Sequence, residues 1–271
     1  MTAAANADPA AAGDPPVLAV HGAAGRMGRQ LLAVAASQGD RVRGAWVPAG
    51  SVLLGRPVGP DWPGLVWARP DRAAAPEVVI DFSRADAFPE ILAWCRTHGV
   101  ALVSGTTGLD AGQRAEMARA AGDVPVLWSA NFAIGVAVLG RLAALAGSLL
   151  PGWSAAIVEA HHAGKLDAPS GTALALGRVL AQARGATFDE DAVRADPVRG
   201  DAGTGFAVVR AGDIVGEHSL MLVGPGERLE IVHRAGDRGV FARGALHAAR
   251  WLRGRPPGLY RIDDCLDPAP A

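Results

Sequence analysis

The chain has 271 residues, half of them hydrophobic, with 26 Lys+Arg against 27 Asp+Glu and a formal net charge of −1. That length suits one large domain or two modest ones with proper cores, and the even charge balance argues against a nucleic-acid partner. Two cysteines, Cys95 and Cys265, form neither a disulfide framework nor a metal-ligand spacing, which points to a reducing, cytoplasmic setting.

Residues 1–16, MTAAANADPAAAGDPP, lack the basic start and leucine-rich stretch of a signal peptide and read as a disordered leader. The apolar run VLAV (17–20) leads into HGAAGRMG, then a helix at RQLLAVAAS and a strand at RVRGAWV. After a Pro/Gly-rich loop come a strand at EVVIDFS (77–83), a helix at AFPEILAWCRTHG, a strand at VALVSGTTG, a helix at DAGQRAEMARAAG and a strand at VPVLWSANF. Strands alternating with helices of this length predict βαβ units and a parallel sheet covered on both faces. The rhythm changes after Asn131. A long helix over 134–150, interrupted by Arg141 and so no membrane span, precedes a strand at SAAIVEAHH and a helix at SGTALALGRVLAQA. Three strands follow with few helices between them, GFAVVRAG, EHSLMLVG and ERLEIVHRA, the last two joined by a hairpin turn at GPGE (224–227). This second part predicts an α+β layer with a mixed sheet. The helix VFARGALHAARWL (240–252) closes the chain and is expected to pack back on the first domain.

Gly22, Gly25 and Gly28 lie between a predicted strand and a predicted helix. Glycines there allow a tight turn and let backbone N–H groups and the helix N-terminus approach a diphosphate. A glycine-rich turn without a ligand is the competing reading; a P-loop is excluded because no Lys-Ser or Lys-Thr follows. SGTTG (104–108) and SANF (129–132) end later strands of the same sheet, so all three loops converge on the carboxyl edge where such sheets bind ligands.

Lys165 is the only lysine in the chain and follows His161 and His162 in EAHHAGKLDAPSGTA (159–173). Adjacent strand residues face opposite ways, so the two imidazoles have different tasks. Neighbouring histidines do not share a metal easily from a strand, and no third ligand is spaced nearby, so no metal is expected. Ser170 is a good N-cap for a helix starting at Gly171 and Thr172. An ammonium, two imidazoles and a helix N-terminus around one space suit a small anion with more than one carboxylate. Asp167 is placed to hold the lysine. A capped helix with a surface Lys–Asp pair is the alternative. Arginine is a wide fork that keeps its proton, whereas lysine is compact and tunable, which gives a reason for one lysine in an arginine-rich chain.

GAAGRMG, DFS, SGTTG, SANF, EAHHAGKLDAPSGTA and RAGDIVGEH together resemble the dihydrodipicolinate reductase family, also called 4-hydroxy-tetrahydrodipicolinate reductases, from about residue 17 to the C-terminus. The resemblance implies a Rossmann-like dinucleotide-binding domain (17–130 and 238–271), and a substrate and oligomerisation domain (131–237) that forms a homotetramer. It also implies NADPH and/or NADH as cofactor, a cyclic imine dicarboxylate as substrate, and a place in the diaminopimelate route to lysine. By matching positions, His161 is the proton donor and acceptor and Lys165 the second catalytic residue. His162, Lys165, Ser170, Gly171 and Thr172 bind substrate. Gly22, Ala23, Ala24, Gly25, Arg26 and Met27, with Gly105, Thr106 and Thr107 and with Ser129, Ala130, Asn131 and Phe132, bind cofactor. A semialdehyde dehydrogenase with a cysteine nucleophile, a reductase of another cyclic imine, and a non-catalytic nucleotide sensor are the rivals.

The second strand departs from the expected pattern. Pro48 stands where NAD-binding domains of this type carry an acid for the ribose, and the next acid is Asp61. Arg26, Arg43 or Arg56, with Ser51, are candidates to meet a 2′-phosphate, so NADPH is expected to serve at least as well as NADH.

Overall fold

The computed structural model describes residues 14–267. The expected leader therefore lies outside the described residues, except for its last three positions. Two compact units divide the chain: one runs up to Phe132 and resumes at Phe241, the other is Ala133–Val240.

The first unit is built on β1 (Val17–His21), β2 (Arg41–Trp46), β3 (Trp67–Ala68), β4 (Val78–Asp81), β5 (Ala101–Ser104), β6 (Pro125–Trp128) and β11 (Gly258–Tyr260), with helices α1 (Arg26–Gln38), α2 (Phe88–His98), α3 (Ala111–Ala120) and α7 (Gly239–Leu252). The strands form one sheet in the order β11-β6-β5-β4-β1-β2-β3, and each pairing is parallel. All residues of β1, β4 and β5 are buried, as strands covered on both faces must be. On one face Ala19, Val79, Leu102 and Val126 pack with Phe88, Ile91, Leu92 and Met117 of α2 and α3. The α3 start is a capping box: Asp110 accepts from the Gln113 backbone at 2.8 Å while the Gln113 side chain accepts from the Asp110 N–H at 3.0 Å. The order reverses between β1 and β4, the switch point at which open sheets of this kind leave a crevice.

The second unit contains α4 (Ile134–Leu149), β7 (Ser154–His161), α5 (Gly171–Ala183), α6 (Glu190–Ala195), β8 (Thr204–Arg210), β9 (Gly216–Gly224) and β10 (Glu227–Ala235). Its sheet has the order β10-β9-β7-β8, with β7 parallel to β8 and antiparallel to β9, and β9 antiparallel to β10. The hairpin turn is Pro225–Gly226, with Gly226 at φ 77°, as a type II turn requires. On β7 the inward row is Ala155, Ile157, Glu159 and His161, each buried. Its apolar half joins Leu139, Ala143, Leu174, Leu180, Phe206, Leu220 and Leu222 in a core under α4 and α5. The outward row, Ala156, Val158 and Ala160, is half-buried; on the same face Val209, beside Ala160, is 43% exposed, and Val232, two strands away on β10, is 39% exposed.

The strands and helices expected from periodicity are present; their bounds differ by up to three residues, and by four at the ends of β5 and β6. The exceptions are short: β3, α6 and β11 were not foreseen, and β11 joins the sheet edge by pairing with β6.

Candidate active site

In the first unit the glycine loop turns at Gly22, φ 73°, where an added Cβ would lie 2.7 Å from the Phe82 carbonyl oxygen. At Gly28 a Cβ would meet the Gly22 oxygen at 2.3 Å, so α1 lies directly against the loop. Gly25 is the N-cap of α1 and carries no side-chain cap, leaving the first-turn N–H groups to an external acceptor. A Cβ on Gly105 would strike the Phe82 ring at 2.3 Å, which packs the β5 loop against the β4 loop. These close approaches and the uncapped helix fit a dinucleotide diphosphate at the switch point.

Behind the loops stands Asp81, fully buried at the end of β4. Its Oδ1 bonds His21 Nδ1 at 2.8 Å and accepts from the Ser83 N–H at 3.1 Å; its Oδ2 accepts from the Ser104 and Thr106 hydroxyls, each at 2.8 Å. Burial pushes the Asp81 carboxyl up, but the His21 bond and charge, with Ser83 and Thr106, hold it below the usual range. One carboxylate thus ties together the ends of β1, β4 and β5. Thr106 therefore points its hydroxyl inward rather than toward a ligand, and Phe132 is a core residue, 1% exposed and 5.4 Å from the Phe82 ring. Both can meet a cofactor only through backbone groups. Ala23 is buried, Ala24 and Met27 are half-buried, and Arg26, Thr107 and Ala130 are exposed. Ser129 donates to the Asn131 carbonyl at 2.6 Å.

Among the cations weighed for a 2′-phosphate, Arg26, Arg43 and Arg56 are exposed, and Ser51 Oγ accepts from the Leu53 N–H at 3.2 Å. Arg29, which the sequence reading passed over, is the anchored one. Its Nε donates to the Ala24 carbonyl at 2.9 Å, and its guanidinium lies 5.5 Å over the Trp67 ring.

In the second unit β7 delivers His161 at its last position, and its Nδ1 forms a very short bond to Glu159 Oε2. Glu159, with no exposed surface, also accepts at Oε1 from Arg210 Nη2 at 2.8 Å and from the Ser170 N–H at 3.2 Å. Arg210 further donates to the carbonyls of Lys165 and Asp167, at 3.3 and 2.5 Å. Lys165 pairs with Asp167 at 2.7 Å. His162 lies just past the strand, half-buried, and its carbonyl accepts from the Lys165 N–H at 3.1 Å. Ser170 caps α5 by accepting from the Ala173 N–H, and its hydroxyl meets His218 Nε2 at 3.3 Å. With every polar group of Ser170 engaged and 2% of its surface exposed, it faces the protein, whereas Gly171 is exposed and Thr172 half-buried at the helix start.

Burial lowers the His161 pKa, Glu159 opposes the shift, and Lys165 and Arg210 reinforce it, for a net lowering. His218, whose ring sits edge-on 5.2 Å from that of His161, is pushed down to about 4, chiefly by burial and then by His161. It is neutral at physiological pH. Burial raises the Asp167 carboxyl, but the Lys165 bond outweighs this and the net direction is down.

The sequence reading found no third group near the histidines. The structure supplies two: Glu159, His161 and His218 bring ligand-type atoms within 4.8 Å of one another. Glu159 is already committed to three donors, and Arg210 and Lys165 place positive charge beside it. The cluster therefore reads as proton-handling and anion-facing. Glu159, Arg210 and His218 are the members that sequence reasoning missed. Period-2 counting along β7 signals the first, since Glu159 shares the buried face of His161.

Models of dihydrodipicolinate reductase match the chain over both halves, the N-terminus over residues 17–132 and the C-terminus over 135–266. The chain belongs to the dihydrodipicolinate reductase family. It is 48% identical over 253 residues to a 4-hydroxy-tetrahydrodipicolinate reductase of Xanthomonas campestris pv. campestris (strain B100), covering 91% of this chain and 96% of that protein. It is 45% identical over 256 residues to the corresponding reductase of Stenotrophomonas maltophilia (strain K279a), covering 92% and 97%. A dipicolinate-bound dihydrodipicolinate reductase from Paenisporosarcina sp. TG-14 shares the fold, with a TM-score of 0.74 at 21% identity over 91% of this chain and 97% of that one. In this family member the C-terminal model extends to residue 266, yet the segment from Phe241 onward is packed with the first unit. In this chain the two matched halves are thus not the two compact units.

Proposed function

We propose that this reductase converts 4-hydroxy-tetrahydrodipicolinate to tetrahydrodipicolinate with NADPH or NADH, in the diaminopimelate route to lysine. The observation that carries the reading is the second-unit cluster. A carboxylate-held imidazole, the only lysine of the chain and the start of α5 gather on one segment, His161 to Thr172, in a protein 48% identical to a reductase of that name. When bound, the nicotinamide supplies the hydride. The chain does the rest. Lys165, His162 and the backbone at Gly171 and Thr172 receive the two carboxylates, because a helix N-terminus and an ammonium both favour anions. His161 carries the proton to and from the ring, assisted by Lys165, so that no full carbanion forms. The N–H groups of the glycine loop hold the diphosphate, with Gly105 to Thr107 and Ser129 to Phe132 completing the cofactor site. No cysteine is available for acyl chemistry: burial raises the Cys95 thiol well above its ordinary value and takes Cys265 to about 12.

The protein works in the cytoplasm as a homotetramer in this reading. Both cysteines are free and buried, and no described helix is long and apolar enough to cross a membrane. The outward face of the second-unit sheet, with Val158, Val209, Met221 and Val232, offers an apolar surface on which other copies could pack.

The deciding assay follows NADPH and NADH oxidation with enzymatically generated 4-hydroxy-tetrahydrodipicolinate. No turnover with either cofactor would remove the reading. Sedimentation of wild type and of Met221→Glu tests the assembly: a tetramer that the variant dissociates is expected.

A further inference from the structure

We infer that Glu159 is a positioning residue for His161: it accepts the hydrogen bond of Nδ1–H, leaves Nε2 as the ring nitrogen that meets the substrate, and is itself held by Arg210. The inference rests on the reductase reading of this site. A carboxylate has only acceptors, so in the Glu159–His161 bond the imidazole nitrogen is the donor, and the neutral ring must be the Nδ1–H tautomer. Glu159 cannot turn away. Its other oxygen accepts from Arg210 at 2.8 Å and from the Ser170 N–H at 3.2 Å, which joins the imidazole to the start of the proposed carboxylate-binding helix. Arg210 is fixed in turn by the carbonyls of Lys165 and Asp167. A second observation concerns the far side of the ring. Gly216, the first residue of β9, faces Nε2, and a Cβ there would come within 3.2 Å of it. Glycine at that position keeps the Nε2 side uncrowded.

The groups around His161 come from β7, the loop after it, β8, β9 and α5. Glu159 on β7 favours the imidazolium, whereas Lys165 on the following loop and Arg210 on β8 disfavour it. His218 on β9 is neutral near pH 7 and acts on His161 by packing, with His233 beyond it on β10; Ser170 of α5 is uncharged. Opposite consequences follow for two variants. Glu159→Gln keeps an acceptor oxygen and removes the negative charge, so the alkaline limb of kcat, set by loss of the His161 proton, moves to lower pH. Arg210→Gln removes a positive charge and moves the same limb to higher pH. A merely structural defect has no reason to displace the limb in two directions.

The experiment measures kcat against pH for wild type and both variants, and the His161 ring nitrogen shifts of ¹⁵N-histidine-labelled wild type. Expected are a limb about one pH unit lower for Glu159→Gln with kcat at pH 7.5 down at least about tenfold, a limb displaced upward for Arg210→Gln, and an Nδ1–H neutral tautomer. An unmoved limb with wild-type kcat in Glu159→Gln, displacement of both limbs in one direction, or an Nε2–H tautomer overturns the inference. The tautomer is read on wild type, so it decides the matter even where a variant does not fold. A wild type that does not turn over the substrate sinks the reductase reading and leaves the tautomer result standing on its own.

Discussion

Each unit contains one fully buried carboxylate bonded to a histidine Nδ1: Asp81 with His21 in the first, Glu159 with His161 in the second. The surroundings separate them. Asp81 spends its remaining capacity on neutral donors, the hydroxyls of Ser104 and Thr106 and the Ser83 N–H, each at the end of a strand that carries a loop. Glu159 is bonded to a guanidinium and lies among groups that titrate or carry charge. The same pair therefore serves two ends. In the first unit it fixes backbone, and the loops it fixes are those proposed to hold cofactor. In the second it tunes a side chain whose free nitrogen is proposed to carry a proton.

The largest effect expected from breaking this contrast is on stability. Asp81→Ala strands His21 and two buried hydroxyls without an acceptor and is expected to cost about 3 kcal/mol or more in urea unfolding. The same substitution should weaken cofactor binding, measured by nicotinamide fluorescence titration. A loss below about 1 kcal/mol would deny Asp81 its role as a hub.

Acid tests the second cluster. His218 is held near 4 in the folded protein against 6.5 when free. A depressed histidine pKa means that the unfolded chain binds the proton first, so this contribution is complete above about pH 6.5 and is lost as the pH falls toward 4. The loss is about 3 kcal/mol over that window. His218→Gln should show a flatter unfolding free energy from pH 7 to 4 than wild type; parallel profiles would show that His218 does not titrate this way.

Next comes turnover. His161→Gln and Lys165→Ala are each expected to lower kcat roughly a hundredfold, about 2.7 kcal/mol of barrier, in protein whose melting profile remains cooperative. Lys165→Arg should be poor as well, because the planar fork does not reproduce the compact ammonium. Near-normal turnover in any of these would separate that residue from the chemistry.

The smallest effect concerns cofactor choice, at the rim of the first unit. With Pro48 in place of an acid, no carboxylate there repels a 2′-phosphate. NADPH is expected to match or exceed NADH in kcat/KM, by less than about tenfold, or 1.4 kcal/mol. A larger preference for NADH at fixed ionic strength would show that selectivity does not depend on that acid.

Most of the architecture was legible in local pattern. Fully apolar runs such as VVI and ALV fit only strands buried on both faces, and helices such as Phe88–His98 show their buried side at three- and four-residue spacing. Ser170 and the glycine loop declared themselves because caps and tight turns are short-range events. The two- and three-residue strands β3 and β11 and the short helix α6 carry too little pattern of their own to be seen; β11 is a strand only because β6 offers it a sheet edge.

The site divides in the same way. His161, His162 and Lys165 lie within five residues of one another, so a linear reading brings them together. Arg210 lies 51 residues from Glu159, and His218 lies 48 from Ser170. Each is a single polar side chain in a strand, and nothing local tells whether it faces water or a buried partner. Strand register decides it: β7 pairs Glu159 with His218 across one edge and His161 with Arg210 across the other. Thr106 and Phe132 show the converse. Their loops were located by sequence, but the direction of each side chain was set by Asp81 and Phe82, which reach them only through the sheet. Local propensity specifies where chain segments turn, whereas pairing across distant strands specifies which buried charge stands beside which imidazole.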